Sequence, residues 1–105
     1  MGYKAMRMAQ AKGAKLIVPV PRKSGNAERS DIWLPLRAGT DAAMSLGWLN
    51  VFIEEELYDK AFVRDWTVGF EQLAERVREY PLDRVADITG VDAELIAKAA
   101  RLYAT

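Results

Sequence analysis

The 105-residue sequence contains no cysteine and no histidine. The first absence excludes disulfides, thiolate metal sites and cysteine nucleophiles, and it leaves the redox compartment open. The second removes the usual general base and the commonest metal ligand. No apolar run is long enough to span a bilayer, and the opening Met1-Gly2-Tyr3-Lys4 lacks the apolar core of a signal peptide. There is no Walker loop and no Gly-x-Gly-x-x-Gly fingerprint. Ser24, Ser30 and Ser45 have no histidine partner and none sits in a nucleophile elbow, so no catalytic constellation assembles. What is present is a half-hydrophobic chain with balanced charge, the composition of one globular domain at most.

The zero net charge conceals an asymmetry. Residues 1–30 carry seven basic side chains against Glu28 alone, or +6, and residues 31–105 carry eight basic against fourteen acidic, or −6. A basic end suits a phosphate-bearing partner, and a solvated helix face accounts for it equally well.

Tyr3 to Lys12 contains good helix formers, and Gly13 stands where such a helix stops. Gly13 to Val18 reads as a short buried strand that Pro19 and Pro21 end. The order helix, glycine, strand is the second half of an α/β unit, so a first strand is expected before residue 1. Pro21-Arg22-Lys23-Ser24-Gly25-Asn26 reads as a loop with a Gly-Asn turn signal, and Asp31 to Leu36 holds a second short strand, with Pro35 marking an edge or exit. Arg37-Ala38-Gly39-Thr40-Asp41 opens a helix that Thr40 caps and that runs from Ala42 to about Glu55. That helix is apolar on two faces, through Leu46, Leu49, Ile53 and Leu57 and through Met44, Trp48 and Phe52, so both must be covered. Glu54-Glu55-Glu56 at its end reads as a solvated turn.

Beyond it, Asp59 caps a helix with Phe62, Val63 and Trp66. Phe70, Leu73, Val77 and Tyr80 form an amphipathic stripe that Pro81 stops. A short helical piece, Leu82 to Ile88, ends at Thr89-Gly90. Asp92 caps a last helix with Leu95, Ile96, Ala99, Leu102 and Tyr103 on its inner side. The aromatic residues read as core. The class is α/β: two short parallel strands flanked by about five helices, with a helix-rich C-terminal half.

Two places carry binding chemistry. Arg22, Lys23 and Ser24 can donate to phosphate or ribose oxygens. The Gly39-Thr40-Asp41 turn offers backbone N–H groups, and Asp41 a carboxylate that accepts from a base edge. A loop after a strand, beside a helix N-terminus, is where open α/β sheets hold nucleotide-like ligands. Plain helix capping explains Thr40 and Asp41 as well. Two rivals stand beside this reading. One is a helical interaction module whose doubly apolar helix is covered by a partner chain. The other is nucleic-acid binding by the basic third, which ranks last because Tyr3 alone interleaves an aromatic ring there.

Gly13-Ala14-Lys15-Leu16-Ile17-Val18, Pro21-Arg22-Lys23, Ala27, Asp31-Ile32 and the run from Arg37 through Gly39-Thr40-Asp41-Ala42 form an ordered series. It continues through Ile53-Glu54-Glu55, Leu57-Tyr58-Asp59-Lys60, Phe62-Val63, Thr67, Gly69-Phe70-Glu71, Ile88-Thr89-Gly90-Val91 and Ala99-Ala100-Arg101-Leu102-Tyr103-Ala104. The series resembles the molybdopterin oxidoreductases of the dimethyl sulfoxide reductase and formate dehydrogenase type, and it covers essentially the whole chain. The resemblance implies a bis(molybdopterin guanine dinucleotide) cofactor carrying molybdenum or tungsten. It implies that residues 1–105 are one fragment of the α/β domain holding a guanine dinucleotide arm, inactive alone and without a metal ligand. The implied partners are the remainder of a large catalytic subunit and an iron–sulfur electron-transfer subunit, with no nucleic acid and no direct membrane contact. The implied setting is the cytoplasm or periplasm of a prokaryote. Where the family's first loop usually reads Asp-Pro-Arg, this chain has Val20-Pro21-Arg22, so a carboxylate is missing and backbone groups of Val20 to Lys23 remain. The second motif, usually Pro-Gly-Thr-Asp, stands as Ala38-Gly39-Thr40-Asp41. The implied contacts are therefore Val20, Pro21, Arg22, Lys23 and Ser24 in one turn and Gly39, Thr40 and Asp41 in the other, with Asp41 foremost.

Overall fold

A computed structural model describes residues 2–105, and the chain divides into two compact units, Met1–Pro35 and Leu36–Thr105. In the first unit, helix α1 (Gly2–Ala11) ends at Gly13 as its sequence requires. The Ala14 N–H donates to the Ala9 carbonyl at 3.1 Å and the Gly13 N–H to the Gln10 carbonyl at 3.0 Å, the bond pair of a Schellman end. Strand β1 (Ile17–Pro19) runs parallel to β2 (Ile32–Leu34), with Ile17 opposite Ile32, Val18 opposite Trp33 and Pro19 opposite Leu34.

The first strand is shorter than its apolar run, because a side chain replaces the ladder at its entry. The Leu16 N–H donates to Asp31 Oδ2 at 2.8 Å, while the Asp31 N–H donates to the Leu16 carbonyl at 2.9 Å. Pro19 ends the strand from within, since a last residue needs no N–H for the ladder. The Gly-Asn pair expected to make a plain turn instead begins a single helical turn, α2 (Gly25–Glu28). Ser24 Oγ accepts from the Ala27 N–H at 3.3 Å, and burial of the Ala27 methyl fixes that turn.

The second unit is built on α3 (Asp41–Glu54), the helix with two apolar faces. Both find neighbours inside the unit: α5 (Phe70–Val77), α6 (Leu82–Thr89) and α7 (Ala93–Ala104) all pack on it. Met44 and Val51 of α3, Val77, Val85 and Ile96 are buried, and full burial of a side chain such as Ile96 is worth about 1.5–3 kcal/mol. Helices α3 and α6 approach closely at Gly47, where a Cβ would stand 2.9 Å from Val85 Cγ1. Thr89 is the one polar residue classed as buried among the described residues, and its hydroxyl is satisfied. Its hydroxyl donates to the Val85 carbonyl at 2.8 Å and accepts from the Val91 N–H at 3.2 Å.

Three local expectations change. The glutamates closing α3 are not held by solvent alone. Glu55 forms a forked pair with Arg101 of α7, at 2.8 Å from Nε to Oε1 and 2.7 Å from Nη2 to Oε2, and Glu56 meets Lys60 at 2.9 Å. The guanidinium of Arg101 holds the Glu55 carboxyl below the usual range.

The aromatic residues are not all core either. Phe62 and Trp66 of α4 (Lys60–Trp66) stack on each other with Trp66 77% exposed, and Tyr103 is 70% exposed beside Trp48 and Phe52. Helical spacing shows which residues share a face, not whether another element covers it, and α4 buries none of its residues. Of the predicted caps, Asp59 holds the Phe62 N–H at 2.9 Å, whereas the Asp92 side chain caps nothing. The α/β class with two parallel strands stands, with seven helices among the described residues rather than about five. No helix among the described residues is long and apolar enough to cross a membrane.

Candidate functional site

The first candidate loop leaves β1 at Val20. The Val20 carbonyl accepts a hydrogen bond from the indole Nε1 of Trp33 at 2.9 Å, so it is already committed to holding the loop. Lys23 reaches over the same indole, its Nζ 5.7 Å from the ring centroid, a distance at which a cation is attracted to an aromatic face. Arg22 and Ser24 are exposed. Ser24 Oγ is spent as an acceptor on the α2 cap, which leaves its hydroxyl proton free to donate. Thus Trp33, which the sequence did not single out, braces Val20 and Lys23 together. The register already hinted at this: Trp33 lies opposite Val18, two residues before Val20, and a half-buried indole N–H needs an acceptor.

The second candidate is the turn Arg37–Thr40 ahead of α3. Gly39 has φ +83°, a left-handed conformation that a side chain would strain. Thr40 occupies the cap position but does not cap. Its hydroxyl donates backward to the Arg37 carbonyl at 2.6 Å, and the Thr40 N–H donates to the same carbonyl at 3.2 Å. The first-turn N–H groups of α3 therefore receive no cap bond from the Thr40 side chain. Asp41 is exposed at the head of that turn, so its carboxylate is open to solvent rather than sealed among aliphatic carbons.

Arg37 was expected to open the helix; instead it stands before the turn and anchors it. Its Nη1 donates to the Asp87 carbonyl at 2.6 Å and to the Ile88 carbonyl at 3.2 Å, and its N–H to the Thr89 carbonyl at 2.8 Å. These are terminal carbonyls of α6, which a helix leaves unpaired and which favour a cation. No local pattern reveals an arginine that serves a helix end about fifty residues away.

Among the described residues, no group of three or more carboxylates is placed to hold a metal ion. Two surface clefts of the second unit, of about 460 and 680 Å³, are lined by residues such as Tyr58, Arg64 and Phe70 and by Asp83, Glu94 and Lys98. Neither includes a candidate residue. The candidates thus form two small constellations, one braced on Trp33 and one anchored on α6, each within its own unit.

No protein-family model matches the chain. Individual proteins do match it along nearly its whole length. It is 59% identical over 103 residues to acetylene hydratase of Syntrophotalea acetylenica and 46% identical over 96 residues to formate dehydrogenase H of Escherichia coli. It is also 41% identical over 93 residues to the molybdopterin-containing subunit of the thiosulfate reductase of Salmonella typhimurium. These alignments cover 98%, 91% and 89% of the chain. The solved structure of acetylene hydratase from Pelobacter acetylenicus superposes over 99% of the chain with a TM-score of 0.97 and 59% identity. The chain is similar, over nearly its whole length, to an internal segment of molybdopterin oxidoreductase catalytic subunits.

The chain spans 14% of the acetylene hydratase and 13% and 12% of the other two relatives. It therefore corresponds to one segment of their catalytic subunits. One of these relatives, the thiosulfate reductase subunit, is named as molybdopterin-containing. The residues of both turns suit such a group: open N–H donors, an exposed carboxylate, two cations and a free hydroxyl proton, all groups that pair with phosphate, ribose and base edges.

Proposed function

We propose that this chain holds the guanine dinucleotide arm of a bis(molybdopterin guanine dinucleotide) cofactor within a larger catalytic subunit, and that its two units are parts of one cofactor-binding α/β domain. The observation that carries the reading is the Gly39–Asp41 turn, where a helix start without a side-chain cap and an exposed carboxylate occupy consecutive residues. Asp41 accepts hydrogen bonds from the N–H groups of a guanine edge, which presents adjacent donors to a carboxylate. The N–H groups at the start of α3 face negative charge, as the helix dipole favours. Arg22, Lys23 and the Ser24 hydroxyl are groups that donate to phosphate and ribose oxygens. When bound, the molybdenum- or tungsten-bearing pterin supplies the redox chemistry. This chain supplies orientation, and none of its side chains takes part in bond making. An iron–sulfur electron-transfer subunit completes the assembly.

In the complete subunit, Asp41→Ala is expected to lower the molybdenum or tungsten content per polypeptide, with secondary structure by circular dichroism unchanged. Metal content equal to wild type would refute the role of Asp41.

A further inference from the structure

We infer that Arg37 is a positioning residue for the ligand-facing turn, acting through the C-terminus of α6. This rests on the reading of Gly39–Asp41 as the nucleotide contact and adds to it the residue that sets its geometry. Three bonds tie Arg37 to α6: guanidinium to the Asp87 and Ile88 carbonyls, and main-chain N–H to the Thr89 carbonyl. Two more tie the turn to Arg37, because its carbonyl accepts from both the hydroxyl and the N–H of Thr40. The guanidinium also lies against Gly90, where a Cβ would meet its Nε at 3.3 Å, so the side chain is held along its length.

The consequence appears at the start of α3. A threonine at a cap position ordinarily turns its oxygen toward the N–H groups of the first turn. Here the Arg37 carbonyl draws the hydroxyl proton back, and the side chain makes no cap bond. The donors that a cap would consume remain open to an acceptor from outside the chain. Arg37 thus fixes the turn and frees its donors by one arrangement, while itself touching no ligand.

The test uses the 105-residue chain with guanosine diphosphate as the probe, reading affinity by calorimetry and amide hydrogen exchange residue by residue. Arg37→Met keeps the aliphatic stem and removes the donors. It is expected to weaken guanosine diphosphate binding about tenfold, the loss of one or two charge-assisted hydrogen bonds. Exchange at the Thr40 amide should quicken while the amides of Val51, Val85 and Ile96 keep their protection. Arg37→Lys, which returns one donor to the α6 carbonyls, should recover part of both losses. Wild-type affinity and wild-type Thr40 exchange in Arg37→Met, with binding lost in Asp41→Asn, would overturn the role of Arg37 and leave the nucleotide contact standing. No binding by the wild-type chain, or unchanged binding in Asp41→Asn, would overturn both. Should Arg37→Met also lose protection at Val85, Thr40→Val decides, since it removes the hydroxyl bond without touching α6. Weaker binding in that variant supports the inference, and unchanged binding overturns it.

Discussion

The two candidate turns, one in each unit, are held by different physics. Gly39–Asp41 is built from main-chain geometry: a glycine at positive φ, a hydroxyl bonded to a carbonyl three residues back, and an arginine seated on the end of α6. Val20–Ser24 is built from side chains around an indole, with one hydrogen bond to Val20 and a lysine laid across the ring. In the first turn the groups offered are mainly backbone donors of fixed direction. In the second they are long cations, one of them resting on the indole, which lose side-chain entropy on engaging an anion. In the proposed reading, the rigid turn meets a base edge with donors of fixed direction, and the flexible loop offers cations to phosphate charge.

The strongest way to break this contrast is to loosen the packing beneath the rigid turn. Gly47→Ala places a methyl group against the stiff, fully buried Val85 of α6, the helix that anchors Arg37. It is expected to cost about 1–3 kcal/mol in urea unfolding. Combined with Val85→Ala, the loss should be smaller than the sum of the two single losses, because the contact is shared. Additive losses would show that the helices move apart freely there.

The flexible loop can be sharpened rather than broken. Val20→Asp returns the carboxylate that the family's first loop carries, and it should tighten guanosine diphosphate binding severalfold, about 1 kcal/mol for one added charge-assisted hydrogen bond. No gain would mean that Trp33, by holding the Val20 carbonyl, turns the side chain away from the ligand.

The smallest effect concerns the Glu55–Arg101 pair, which is exposed and modest in worth. Arg101 lowers the Glu55 carboxyl below its unfolded value. Its contribution is therefore complete above the unfolded value and is lost as pH falls through the folded one. Thermal unfolding of Glu55→Gln should show a shallower loss of stability below pH 5 than wild type, and parallel profiles would remove the pair from consideration.

How much of this was legible beforehand follows from the range of each interaction. Gly13 as a helix stop and Asp59 as a cap are decided within five or six residues, and both were readable. Ser24 and Thr40 are equally local, yet one oxygen caps a helical turn and the other's proton goes backward. A hydroxyl can both donate and accept, and composition does not choose between them. The exposure of Phe62 and Trp66 escaped because periodicity carries no information about cover. Arg37 on the end of α6 and Glu55 on Arg101 join residues some fifty positions apart, beyond any window in which pattern reading operates.

Nucleotide binding at the Gly39–Asp41 turn can be measured directly by titrating the isotopically labelled 105-residue chain with guanosine diphosphate while following its amide resonances. Saturable shifts at Gly39 to Ala42, lost in Asp41→Asn, are the expected result. Unmoved resonances at Gly39 to Ala42, or shifts that Asp41→Asn leaves intact, would contradict the proposed nucleotide contact.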